Sequence, residues 1–102
     1  MDHDLLSRSA EKLNQLLLQY SEVDIEAREL QGELSLIIRD VLSGKIVTPV
    51  EWRNIPGSYY FTEGSLRKYG DLETAYSDFK IEITGGESPV LRKLRQKRAG
   101  SL

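Results

Sequence analysis

The sequence predicts a small, mostly helical α+β protein. A long amphipathic N-terminal helix would pack on a smaller aromatic-rich half that contains a short antiparallel β-ribbon. Three observations support this class: a heptad pattern of apolar residues over 6–41, the absence of proline before position 49, and aromatic residues concentrated over 58–79. With 102 residues, the chain has the size of one domain. We predict that domain over 1–90 and a basic, disordered tail over 91–102.

Apolar residues recur every seven positions in two registers between residues 6 and 41. A pattern sustained over this length is typical of a coiled-coil seam. We predict one continuous helix over residues 4–42, about 57 Å long at about 1.5 Å per residue. Its uncovered seam would make the protein a homodimer or a higher oligomer. The predicted seam consists of Leu6, Leu13, Leu16, Tyr20, Val23, Leu30, Leu34, Ile37 and Val41.

A helical hairpin is the alternative for the same segment. Ser21 would then be the N-cap of a second helix, and Asp24 would occupy its third position. We favour the continuous helix because residues 17–28 contain no glycine or proline and because the heptad pattern crosses them in phase. In a hairpin, the two arms would bury each other's seams and the protein would be monomeric.

Five acidic residues lie beside the seam, within an arc of about 60° on a helix. None of them has a lysine or arginine three or four positions away. One interpretation is a solvated face, and the other is contact with a basic surface, either the chain's own tail or a protein partner. Because like charges repel at this spacing, we expect glutamine replacements to leave folding intact or improve it slightly. This acidic ridge consists of Glu22, Glu26, Glu29, Glu33 and Asp40.

The residues that follow the ridge predict a change of structure. Gly44 has the position of a left-handed C-cap. Thr48, Pro49 and Glu51 have the residue types of a capping box, which predicts a short helix carrying Trp52. The remaining half, 45–90, is therefore predicted to begin with helix and continue into mixed structure.

The aromatic stretch over 58–79 is predicted to be mainly core. Residues 59–61 are predicted as a strand, and 71–77 as a helix followed by a second strand over 79–84. The two strands would pair antiparallel and need a covering element, which the long helix could supply.

Part of this stretch is also a candidate contact surface. Adjacent side chains of a strand point to opposite faces, so one ring of the pair Tyr59 and Tyr60 would face solvent. Arg67 and Tyr69 lie nearby in the sequence. Since tyrosine and arginine are enriched at interface hot spots, we predict that these four residues contribute to partner binding.

The sequence offers little material for catalysis. It has no cysteine and a single histidine, His3, near the N-terminus. Neither a thiolate nor a histidine-based nucleophile or metal site is therefore expected. The glycines lack the spacing of a phosphate-binding loop. We expect no enzyme activity, no cofactor and no metal.

Protein binding is the function that the sequence favours. We predict a non-catalytic interaction module that oligomerises through the N-terminal helix and binds a protein partner through the acidic ridge. One alternative is an acidic inhibitor or immunity-type protein that neutralises a basic enzyme. The other is nucleic-acid binding by the tail, whose five basic residues would contact phosphates.

The expected location is cytoplasmic. The chain lacks cysteine and any apolar run near the roughly 20 residues that span a bilayer. Its N-terminus is acidic where a secretory signal would be basic. No contact with a membrane is predicted.

Overall fold

The computed structural model describes residues 2–86 and contains only helices, turns and loops over that range. The predicted α+β class is therefore wrong, and the described part of the chain is all-helical. The tail predicted at 91–102 lies outside the described residues. The described range forms four α-helices: α1 His3–Ser21, α2 Ile25–Leu42, α3 Ser58–Thr62 and α4 Gly70–Ile83. Short 3₁₀ turns lie at Trp52–Asn54 and Leu66–Lys68.

Helices α1 and α2 form a hairpin, so the predicted continuous helix is wrong. Asp24 is extended, with φ −140° and ψ 122°. Its carboxylate accepts hydrogen bonds from the backbone amides of Glu26 at 2.9 Å and Ala27 at 3.4 Å. Asp24, and not Ser21, is thus the N-cap of α2. On the other side of the turn, Arg28 Nε and Nη2 donate to the Ser21 carbonyl at 3.2 and 3.0 Å, which satisfies an acceptor at the end of α1.

This turn needs no glycine because its backbone avoids the left-handed region. Within residues 2–86, every non-glycine residue has a negative φ. Glu22 stays right-handed with φ −73° and Asp24 is extended. Both helices bury their apolar positions in one shared core. The heptad pattern of the sequence therefore continues in phase across the turn. At the turn itself, Val23 and Ile25 lie outside the core and are 78% and 67% exposed.

The core lies between α1, α2 and α4, with α1 packed against the other two helices. Most of the predicted seam is buried inside this single chain, and Leu16, Tyr20 and Ile37 are partly buried. The buried seam residues are Leu6, Leu13, Leu30, Leu34 and Val41. The seam is therefore a core within the chain, as the hairpin alternative predicts.

The segment between α2 and α3 is an irregular loop that contains one 3₁₀ turn. Gly44 is left-handed at φ 78°, directly after the C-cap Ser43, which confirms the predicted helix end. The capping-box helix does not form, and only the 3₁₀ turn carries Trp52. The Val50 amide donates to the Ile83 carbonyl at 2.9 Å, and this contact joins the loop to the end of α4.

The residues predicted as a β-ribbon are helical. Residues 59–61 lie inside α3, and residues 79–83 form the last turns of α4. The helix predicted over 71–77 is present and simply continues. Its buried positions repeat every three or four residues, which is the spacing of a helical face. These buried positions are Leu72, Ala75, Tyr76, Phe79, Lys80 and Ile83.

Candidate functional site

The hairpin divides the acidic ridge. Glu22 lies in the turn as the C-cap of α1, and the other four residues lie on α2. Glu22, Glu29 and Glu33 are exposed, whereas Glu26 and Asp40 are half-buried. The ridge is therefore not one straight row along a single helix.

Glu26 is bound to the loop that follows α3. Its Oε1 accepts the backbone amide of Ser65 at 3.0 Å, and its Oε2 accepts the Ser65 hydroxyl at 2.8 Å. Gly64 permits this approach, because a Cβ at position 64 would collide with Glu26 Oε1 and lie 2.9 Å from the Tyr60 carbonyl oxygen. The Glu26 carboxylate therefore joins α2 to the aromatic half.

Tyr60 faces the same side of α2, beside two further ridge carboxylates. Its hydroxyl donates to Glu29 Oε2 over 3.4 Å. The Glu33 carboxylate beside that hydroxyl, together with burial, raises the pKa of Tyr60 far above its ordinary value. The Tyr59 ring packs edge-on against the Tyr60 ring, with centroids 5.8 Å apart, and Tyr59 is 64% exposed. The acidic ridge and the tyrosine pair, predicted separately as partner contacts, thus meet each other through Tyr60.

A second group of tyrosines ties the hairpin turn to the start of α4. The rings of Tyr20 and Tyr69 stack with their centroids 4.1 Å apart. Tyr20 donates to Asp71 Oδ1 and Tyr69 donates to Asp24 Oδ2, both at 2.8 Å. Each hydrogen bond raises the pKa of its tyrosine.

The Asp24 carboxylate combines capping with this contact. Burial alone would raise the pKa of Asp24, but the Tyr69 hydrogen bond, the Glu26 and Ala27 amides and the Lys68 charge lower it overall. Lys68 Nζ lies 3.6 Å from Asp24 Oδ2. Asp24 and Tyr69 are therefore engaged within the chain, while Arg67 is exposed.

A buried lysine on α4 is the feature that sequence reasoning missed. Lys80 is only 4% exposed. Its Nζ donates to Ser58 Oγ at 2.7 Å and lies 4.0 Å from the centroid of the Trp52 ring and 5.3 Å from that of Tyr76. Burial lowers the pKa of Lys80. The ammonium thus lies among two aromatic rings and a hydroxyl.

A recess of about 260 Å³ lies beside this lysine. The Tyr76 hydroxyl donates to the Pro56 carbonyl at 2.6 Å and lies 3.5 Å from Ser58 Oγ. The Tyr76 ring also stacks on Phe61 with centroids 4.8 Å apart. These contacts hold the recess wall in place. The Lys80 recess is lined by Trp52, Ser58, Phe61, Thr62, Glu73, Tyr76, Ser77 and Lys80.

Lys80 was missed because the predicted strand over 79–84 placed it on a solvent face, alternating with Phe79 and Ile81. In a helix, residues four apart share a face. Lys80 therefore follows Tyr76 into the interior. The spacing to Tyr76 was the available signal, and the choice of a strand concealed it.

Two possible functional features are absent from residues 2–86. No group of histidine, aspartate and glutamate side chains in this range is arranged to hold a metal ion. No helix in this range has both the length and the apolar character needed to cross a membrane.

Comparisons with family models, curated proteins and solved structures find no significant match to this chain. The exposed aromatic side chains, the engaged carboxylates and the Lys80 recess are therefore the basis for any functional proposal.

Proposed function

We propose that this protein is a non-catalytic protein-interaction module that binds its partner through an aromatic surface formed by Trp52 and Tyr59. The observation that supports this surface is their exposure, 56% for Trp52 and 64% for Tyr59. Tryptophan and tyrosine dominate the energetics of many protein interfaces. Trp52 lines the Lys80 recess, and Tyr59 directly follows Ser58, another lining residue. The Trp52 ring therefore borders the recess, and Tyr59 adjoins it through the backbone of Ser58.

The Trp52 ring is exposed but held in place. The hydrogen bond from Val50 to Ile83 anchors the segment before it, and Ile55 is buried just after it. Lys80 Nζ lies against the ring at 4.0 Å, within the range of a cation–π contact. An anchor that is already ordered loses less conformational entropy on binding. This restraint favours a role in recognition.

We place recognition at this aromatic surface rather than at the acidic ridge. Glu26 binds Ser65, and Glu29 and Glu33 lie against Tyr60. These carboxylates have roles within the chain. The exposed part of the ridge could still steer a basic partner, and its role in binding stays a prediction. Nucleic-acid binding would depend on the tail, which lies outside the described residues.

The homo-oligomer predicted from the heptad pattern would need another surface. Leu13, Leu30 and Leu34 are fully buried in the hairpin core. They cannot pair with a second chain unless the hairpin opens. We therefore propose that the chain meets its partner as a monomer. A cytoplasmic location stays a prediction from composition.

Affinity capture with single substitutions tests this proposal. The immobilised protein is exposed to a cell extract, the captured partner is identified by mass spectrometry, and its affinity is measured for each variant. Trp52→Ala and Tyr59→Ala should weaken binding about tenfold or more, the loss typical of hot-spot residues. Val23→Ala, at an apolar residue that is 78% exposed on the hairpin turn, is the matched control. Equal affinity of all three variants for the captured partner would refute the aromatic surface.

A further inference from the structure

We propose that the Lys80 recess binds one carboxylate group of the partner, an inference that rests on the protein-binding function proposed above. The Lys80 ammonium and the Ser58 hydroxyl would donate hydrogen bonds to the carboxylate. The aromatic walls would contact the apolar part of the residue that carries it.

The first support is that Lys80 is a buried cation that forms no ion pair with an anion among residues 2–86. The ion pairs Arg8–Asp4, Arg53–Glu51 and Lys68–Asp24 do not involve Lys80. Lysine is rarely this buried unless it is paired. Its ammonium has three N–H donors, and the hydrogen bond to Ser58 uses one of them. The faces of Trp52 and Tyr76 only partly replace a counterion.

The second support is the size of the recess. Pockets for drug-sized ligands measure about 300–1,000 Å³, and this one measures about 260 Å³. It therefore suits one amino-acid side chain or one C-terminal residue better than a whole cofactor. Its position beside Trp52 would make such a residue part of the proposed interface.

The third support concerns charge. Glu73 also lines the recess and is exposed there. Its negative charge opposes a dianion such as phosphate more strongly than a single carboxylate. A carboxylate thus fits this combination of one buried lysine and one acidic neighbour.

A pair of small probes tests the recess without the partner. 3-Phenylpropionate and 3-phenylpropionamide differ only in the charged group. The chain has a single tryptophan, so the Trp52 indole N–H gives one unambiguous NMR signal. We expect the carboxylate to bind about tenfold more tightly than the amide and to shift this signal. Equal affinities of the two probes would overturn the proposal.

Lysine substitutions test whether Lys80 causes the preference for the carboxylate over the amide. Lys80→Met should abolish it, and Lys45→Met, at an exposed lysine, should leave it unchanged. A preference that persists in Lys80→Met overturns the proposal. Intermolecular NOEs from 3-phenylpropionate to the Lys80 and Trp52 protons in the wild-type protein provide a test that does not depend on the variant folding, and their absence also overturns the proposal.

Two peptides distinguish the possible sources of the carboxylate. Acetyl-Gly-Gly-Phe carries a free C-terminal carboxylate, and acetyl-Gly-Asp-Phe-amide carries only a side-chain carboxylate. We expect one of them to bind in a Lys80-dependent manner and so identify the source, whereas binding of neither refutes a polypeptide ligand. If carboxylate binding does not depend on Lys80 but capture of the partner still depends on Trp52, only the carboxylate site in the recess is refuted. The two proposals therefore fail separately.

Discussion

The Glu26 carboxylate receives both the backbone amide and the hydroxyl of Ser65, at 3.0 and 2.8 Å, across 39 positions of sequence. It therefore joins the helical hairpin to the loop after α3. The charge pattern alone suggested that removing this charge would relieve repulsion. The observed contact predicts instead that removing this charge lowers the stability of the protein.

Glu26→Gln should destabilise the protein by about 1–2 kcal/mol, since it weakens hydrogen bonds to a half-buried charged acceptor. Glu22→Gln, at an exposed residue in the turn, is the matched control and should change stability by less than about 0.5 kcal/mol. Urea unfolding followed by circular dichroism measures both. Equal unfolding midpoints for the two variants would mean that the Ser65 contact contributes nothing to stability.

Alanine substitution should destabilise the protein at Gly57 and stabilise it at Gly32. Gly57 has φ 111°, and a Cβ there would collide with Leu30 Cδ1 and lie 3.1 Å from the Tyr76 hydroxyl. Gly57→Ala should therefore cost about 2 kcal/mol or more through backbone strain and overpacking. A Cβ at Gly32 in α2 would meet nothing within 4 Å. Gly32→Ala should therefore stabilise the folded protein by about 0.5–1 kcal/mol. Thermal unfolding compares the pair, and a stable Gly57→Ala protein would contradict the packing described at this site.

Leu30→Asp distinguishes a core within the chain from a seam between chains. Leu30 is fully buried in the hairpin, so an unpaired carboxylate there should unfold the protein. A seam between two chains would instead give a folded, dissociated variant. Circular dichroism reports folding, and light scattering should give the wild type a mass near 11.6 kDa. A folded monomeric variant together with a dimeric wild type would restore the oligomer predicted from sequence.

The amphipathic character of residues 3–42 could be predicted because both helices bury apolar residues at helical spacing. The break between them could not be predicted from glycine or proline. It depends on Asp24 capping α2 and on Arg28 reaching the Ser21 carbonyl, and the second of these contacts requires the turn to be formed already. Propensity alone therefore favoured a continuous helix.

The error over 79–84 has a different physical origin. Phe79, Ile81 and Ile83 alternate with polar residues, as in a half-buried strand, yet Leu72, Tyr76 and Phe79 also fit a helix. Packing of α4 on α1 decided between them, and no local signal records that packing. The helical spacing of Tyr76 and Lys80 was the only sequence signal for the Lys80 recess, because Trp52 and Ser58 meet Lys80 only in three dimensions.

Tyrosine ionisation should make the fold sensitive to alkaline pH. Hydrogen bonds to carboxylates, together with burial, raise the pKa of Tyr20, Tyr60 and Tyr69, and burial raises that of Tyr76. Tyrosines of the unfolded chain ionise near pH 10. Above that pH the unfolded state binds fewer protons than the folded state, so the free energy of unfolding falls as pH rises. The stabilisation is present below about pH 10 and is lost as the pH approaches the raised pKa values.

Lys80 changes the free energy of unfolding in the opposite direction as pH rises. Its lowered pKa means that the folded state releases this proton at a lower pH than the unfolded state. One lysine opposes four tyrosines, so we expect a net loss of stability. Tyr60→Phe should reduce the decline between about pH 8 and about pH 11, since phenylalanine has no proton to lose. Tyr59→Phe, which removes an exposed hydroxyl, is the matched control. Urea unfolding across this pH range gives the slopes, and the same slope for Tyr60→Phe and Tyr59→Phe would show that the contacts of Tyr60 with Glu29 and Glu33 do not govern alkaline unfolding.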